Sequence, residues 1–246
     1  MKKAFTLAEV LITLGIIGVV SALTLPSVVQ NYQKRSLEVA TQKFYSVMSQ
    51  AIKQYMADEG VDDLRQSSLS LNDDDWDWEL VKTNNDKFFQ KYLKAQICED
   101  GCFADSYKAQ TGEISDKFGK SADYGDYAIK GRYLLPDGMV VDTHGYSVIG
   151  DDHYPGELYV DVNGRKGPNK IGYDLWSMSV FYDGTIDEGG LTPECRKNND
   201  KCGVSNDYYG NTPKEIRDNR FQYCRTWNDY GGCFGHFLEN GFKFDY

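Results

Sequence analysis

Residues 5–29, FTLAEVLITLGIIGVVSALTLPSVV, hold a single charged side chain, Glu9. As an α-helix this stretch spans about 37 Å at 1.5 Å per residue, more than the roughly 30 Å of a bilayer's hydrocarbon core. Lys2 and Lys3 precede it and hold the N-terminus on the cytoplasmic side by the positive-inside rule, sending the remainder outward. Lys34 and Arg35 follow it and are a mild contrary signal.

Two fates fit such a start. In one, the segment is a secretory signal peptide with Val20-Ser21-Ala22 as its small-residue cleavage site, and a soluble binding protein or enzyme begins at Leu23. In the other, the apolar segment is retained and the cut falls before it, between Ala4 and Phe5. Glu9 separates them, because a charged acid costs about 2.5 to 3.5 kcal/mol at the centre of a membrane helix and less near its end. A retained carboxylate needs a partner.

The stretch KKAFTLAEVLITLGIIGVVSALTLPSVVQNYQ resembles the N-termini of type IV pilins and type II secretion pseudopilins. It has their short basic leader, Phe after the cut, Thr next, Glu five places into the mature chain, and then a long apolar helix. The resemblance covers about thirty residues, and Ala4 stands where Gly is usual. It implies that a prepilin peptidase removes residues 1–4 as a leader and that Phe5 is N-methylated. It further implies that Glu9 pairs with the amino terminus of a neighbouring subunit, and that the helix opens locally near Pro26 in filaments. The residues themselves predict a bend or local opening over 22–26, since a helical proline removes one donor and crowds the preceding turn.

Beyond Pro26, Leu37, Ala40, Phe44, Val47, Ala51 and Tyr55 recur every three or four residues among charged and amide side chains. This predicts an amphipathic helix over about 30–58 with Gly60 as its stop. The long helix therefore occupies 5–60, and an extracytoplasmic α+β domain fills 61–246.

A formal net charge of -10 argues against nucleic acid as a partner and against a broad attraction to anionic surfaces, leaving room only for a local basic tip. All six cysteines, Cys98, Cys102, Cys195, Cys202, Cys224 and Cys233, lie in the outer domain. In an exported chain they read as disulfides, and pairing neighbours in sequence closes the smallest loops among 15 connectivities. Zinc is the rival reading, kept alive by Cys233-x2-His236.

The acidic run NDDDWDWE, residues 72–79, reads as a solvated loop rather than a metal site. A helix is expected over about 84–95, where Phe88, Phe89, Tyr92 and Leu93 share a side. Residues 133–141 read as a hairpin turning at Pro136-Asp137-Gly138. Further strands are expected in GELYVDVNG and over 174–182, completing a small antiparallel sheet. A helix capped by Thr212 starts at Pro213, and Gly241 stops another.

Asp161, Asn163 and Asp174 offer hard oxygens around glycine-rich turns, a set calcium would suit. The motif by itself favours an ordinary Asx turn, because an EF-hand's Glu is replaced by Gly172. Resemblance to a calcium-ordered pseudopilin loop is what assigns the cation to these three residues. Lys166 lacks a phosphate-loop context. The three His, at 144, 153 and 236, form no metal or hydrolase motif, and no catalytic residue is assigned.

The fold expected is α+β: a long helix, membrane-spanning and then amphipathic, packed on a disulfide-braced antiparallel sheet. By resemblance the chain is a structural subunit of a type IV pilus or type II secretion pseudopilus. It would wait in a bacterial inner membrane as a single-pass protein and then join a periplasmic or cell-surface filament. Its partners would be membrane lipid, prepilin peptidase, inner-membrane assembly machinery and other subunits. A membrane-anchored binding domain that never polymerises remains the third reading.

Overall fold

The computed structural model describes residues 6–70, 78–98, 101–119, 131–143, 156–198, 202, 210–226 and 231–246. Ala4 and Phe5, the acidic run over 71–77, His144 and His153 lie outside the described residues.

Helix α1 runs from Leu7 to Glu59, 53 residues, or about 80 Å. Thr6 caps its start, and Gly60 ends it in the left-handed region at φ 70°, its N–H returning to the Met56 carbonyl. Of the bend or local opening expected over 22–26, the single chain shows no opening, since the helix passes through Pro26 without interruption. Around the missing donor, Thr24 Oγ1 donates to the Val20 carbonyl and Ser27 Oγ to the Thr24 carbonyl, both at 2.9 Å.

The buried face of α1 is Leu37, Thr41, Phe44, Met48, Ala51, Ile52 and Tyr55. Four of the six positions expected are buried; Ala40 is half-buried and Val47 is exposed. The true spacing alternates fours and threes, which keeps one seam on a helix of 3.6 residues per turn. Val47 sits one residue, or about 100°, away from Met48 on that seam.

Helix α2, Trp78–Leu93, begins six residues before the expected Asn84, because Trp78-Glu79-Leu80-Val81 continues its pattern backwards and Val81 is buried. It docks on α1 edge-to-face, with Tyr55 at 5.5 Å from Phe88 and 5.7 Å from Tyr92 between ring centroids.

The strands are β1 Gln96–Ile97, β2 Ser106–Lys108, β3 Ile114–Gly119, β4 Arg132–Leu134, β5 Val140–Asp142, β6 Gly156–Asp161, β7 Leu175–Val180 and β8 Ile186–Asp187. Six form an antiparallel sheet in the order β1-β4-β5-β6-β7-β8, while β2 and β3 pair as a separate ribbon. The β4–β5 hairpin turns where expected, with Leu135 N donating to Met139 O and Gly138 N to Leu135 O, each at 2.9 Å. Every residue of β7 is buried, so both of its faces are covered.

Helices α3 Pro193–Asn198, α4 Pro213–Thr226 and α5 Cys233–Glu239 complete the chain. Thr212 caps α4 as expected, its Oγ1 accepting from Glu215 N at 3.2 Å. Gly241 stops α5 at φ 64°, and Phe242 N donates back to Phe237 O. The three disulfides join Cys98 to Cys102, Cys195 to Cys202, and Cys224 to Cys233, the neighbour pairing. The last of these staples α4 to α5. One continuous core takes in the outer half of α1, α2, the sheet and α5, so the α+β layout of a long helix on a disulfide-braced sheet is the one observed.

Candidate assembly surface

Among the described residues, nothing packs over the apolar inner half of α1. From Leu7 to Val29, thirteen large apolar side chains are exposed, and none of the helix's most apolar window is buried. Covering a side chain of this kind is worth about 1.5–3 kcal/mol, so thirteen represent on the order of 20–40 kcal/mol. That exceeds the roughly 5–15 kcal/mol by which a domain is folded. Water is not the medium this surface is made for. Residues 7–29 rise about 34 Å, enough to cross a membrane.

At its start, Glu9 closes a reciprocal cap. Thr6 N and Thr6 Oγ1 both donate to Glu9 Oε2 at 2.8 Å, and Glu9 N donates to Thr6 Oγ1 at 3.3 Å. The expectation gave Glu9 only a partner in another subunit; within its own chain it already holds a first-turn donor pair. Sequence reasoning missed this, although the signal was present, since Thr6-x-x-Glu9 is a capping box. The carboxylate also sits at the positive end of the helix dipole.

Further along, a groove of about 820 Å³ separates the flank of α1 from the β4–β5 turn and the 162–168 loop. Tyr32, Val39 and Ala40 line it from the helix, Met139, Val162 and Pro168 from the domain. Lys43 and Asp137 close one side as a 2.8 Å ion pair.

The structure does bring Asp161 and Asp174 together with Asn163. Asp161 Oδ1 accepts from Asn163 N at 3.1 Å, the expected Asx turn, and Oδ2 accepts from the Tyr107 hydroxyl. Asp174 accepts from Asn169 N at 2.7 Å and Lys170 N at 2.6 Å, one on each oxygen. Burial pushes Asp161 up to about 8 and Asp174 up to about 6, and the charge of Asp174 raises Asp161 further.

Asn163 Oδ1 and Asn169 Oδ1 are buried without a hydrogen-bond partner, which is the one observation in favour of a cation. Against it, all four carboxylate oxygens already accept protein donors, and calcium takes six to eight oxygens. Among the described residues no three His, Cys, Asp or Glu side chains gather as a metal cluster. The set as placed is a protein-closed turn and does not fit a calcium cage.

The zinc alternative loses its anchor because Cys233 is bonded to Cys224. His236 instead stacks on Phe221 at 3.7 Å and meets Asp245 at 3.0 Å. Lys166 is exposed, as a solvated turn should be. A feature with no periodic signature is a set of two ion pairs joining α4 to the end of β8, one of them fully buried. Arg220 Nη2 donates to Glu188 Oε1 at 3.0 Å, and Arg217 Nη2 to Asp187 Oδ2 at 2.9 Å. Gly235 N takes the other Glu188 oxygen, tying β8, α4 and α5 together.

Residues 27–110 match a family of unknown function (DUF6613). The matched stretch is about a third of the chain and runs from Ser27 of α1 through α2 to two residues past β2. No curated protein and no solved structure matches.

Proposed function

We propose that the chain is a pilin-like structural subunit, cut by prepilin peptidase after Ala4 and assembled through α1 into a type IV pilus or a type II secretion pseudopilus. What carries the reading is a single rod with two environments. Its outer half is the core of a folded domain, and its inner half is an exposed apolar surface that begins with a capped carboxylate. A bilayer covers that surface before assembly, and the apolar helices of other copies cover it afterwards.

Glu9 gives the exchange its register. Both bonds from Thr6 use Oε2, so Oε1 is the oxygen that the methylated amino group of a neighbour's Phe5 takes. An ion pair in a medium of low dielectric is strong when formed and costly when broken, which makes one carboxylate per helix a selective docking point. The chain's role is mechanical, and no residue is given a catalytic part.

The signal-peptide alternative is less favoured because Glu9 puts a carboxylate inside the apolar run that a signal peptide keeps free of charge. Mass spectrometry of the native N-terminus tests the choice. N-methyl-Phe5 is the expected start, and a chain beginning at Leu23 would overturn the proposal. Glu9→Ala should leave the protein in the membrane fraction and remove it from sheared filaments; undiminished incorporation would refute the charge pairing.

A further inference from the structure

The chain is acidic overall, yet four cations, from α1, β2, α4 and the loop before β7, gather where the domain meets α1 beyond its apolar run. Lys34 Nζ lies 5.8 Å from the centre of the Tyr173 ring, and Lys170 Nζ lies 4.7 Å from the same ring. Lys108 on β2 is the bridge partner of Lys170, with its N–H on the Asn169 carbonyl at 2.8 Å. Arg225 at the end of α4 lies 5.7 Å from Phe221, whose ring is 5.2 Å from Tyr246. Burial and the like charges of Lys34, Arg225 and Lys108 depress the pKa of Lys170, as a crowded cation cluster must.

Aromatic rings fill the space between these cations. Tyr173 stacks on Phe244 at 5.0 Å and meets Tyr246 edge-on at 5.7 Å. The acids close by are engaged elsewhere: Glu38 accepts from Lys243 and from Phe244 N, and Asp245 from Asn240 while facing His236. Lys34 also donates to the main-chain oxygen of Tyr246.

The height of this cluster identifies what it faces. The exposed apolar run ends at Val29, and Lys34 stands five residues beyond, about 7 Å along the axis. The polar zone outside the hydrocarbon is about 5–7 Å thick on each side. Tyr32, three-quarters exposed, lies within that zone. Tyrosines and lysines at one level beside an apolar helix are what a membrane interface collects.

We propose that Lys34, Lys108, Lys170 and Arg225, set around the Tyr173, Phe244 and Tyr246 rings, form a collar that docks the domain on anionic phospholipid headgroups of the membrane crossed by α1. The proposal rests on reading residues 7–29 as the membrane span. It gives Lys34, which runs against the positive-inside rule, a role on the outer side. It also fixes the domain's tilt before assembly, with the 169–173 loop and the C-terminal tail facing the lipid.

The test reconstitutes the full chain in vesicles of phosphatidylcholine alone, or of phosphatidylcholine mixed with phosphatidylglycerol, and follows backbone hydrogen exchange. Residues 166–174 and 243–246 should exchange at least about fivefold more slowly with phosphatidylglycerol present, the factor one cation near an anionic surface is worth. High salt, or the combined changes Lys108→Gln, Lys170→Gln and Arg225→Gln, should remove the difference. Equal exchange in both lipids, with residues 7–29 protected in both, overturns the collar and leaves the span standing. Residues 7–29 unprotected in both overturns the span and the collar with it. Protection that rises with protein concentration and ignores lipid composition assigns the collar to a second copy and overturns the lipid reading. The lipid comparison uses unaltered protein, so it holds even if the triple variant folds poorly.

Discussion

Lys34 Nζ donates to the main-chain oxygen of Tyr246 at 2.8 Å, joining positions 212 residues apart in the sequence. The contact pins the C-terminal tail to the helix just where the apolar run has ended. Lys34→Met keeps the stem and removes the donor, which a half-buried hydrogen bond of this kind values at about 0.5–1.5 kcal/mol. Urea denaturation of the detergent-solubilised full chain should register that loss, together with faster hydrogen exchange over 243–246.

Met48 and Val47 are adjacent in sequence and opposite in consequence. Met48 is fully buried against the sheet domain, so Met48→Ala should cost about 2–5 kcal/mol. Val47 is 38% exposed, and Val47→Ala should cost under about 1 kcal/mol. The same urea experiment decides between them; equal losses would mean that the packed seam runs elsewhere.

Two glycines in the left-handed region separate backbone strain from crowding. At Gly60, φ 70°, an added Cβ meets nothing within 4 Å, so Gly60→Ala should cost only the conformational penalty of about 1–2 kcal/mol. At Gly172, φ 72°, the same atom would lie 2.6 Å from Cys233 Sγ and 2.8 Å from Gln110 Nε2. Gly172→Ala should therefore be the more damaging of the two, measured as a lower urea midpoint in oxidising buffer.

Burial holds the Asp161 pKa at about 8 and that of Asp174 at about 6, both above an ordinary aspartate at 3.8. The folded state thus keeps protons that the unfolded chain releases. The stabilisation is complete below about pH 4 and is lost as pH rises through 6 and then 8. The urea midpoint should fall between pH 5 and pH 8.5 in calcium-free buffer, a range about clear of the acid limb. Asp161→Asn should flatten its upper part. Millimolar calcium should leave the midpoint at pH 7.5, about the physiological value, unchanged; an upward shift would restore the calcium reading of Asp161, Asn163 and Asp174.

Much of the architecture was legible because periodicity and punctuation act locally. Gly60, Gly241, Thr212 with Pro213, and the Pro136-Asp137-Gly138 turn each specify backbone geometry within a few residues, and each stands where expected. The neighbour pairing of cysteines held for the same reason, since short loops close at small entropic cost. The strands β1 and β2, of two and three residues, were missed because so short a run carries no alternation to read. The Arg220–Glu188 pair and the Lys34–Tyr246 clamp depend on chain segments brought together only by the finished fold. At the helix start the miss was avoidable, because Thr6 and Glu9 stand at capping-box spacing.

The seven buried residues of α1 spread over Leu37–Tyr55, about 27 Å of rod seated in the domain. A pull applied along the inner half of that rod is parallel to the seam. It loads all of those contacts together in shear, where a pull across the rod would peel them one after another. The domain is thus mounted like a blade on a long tang, and axial tension is the direction in which the mounting is strongest.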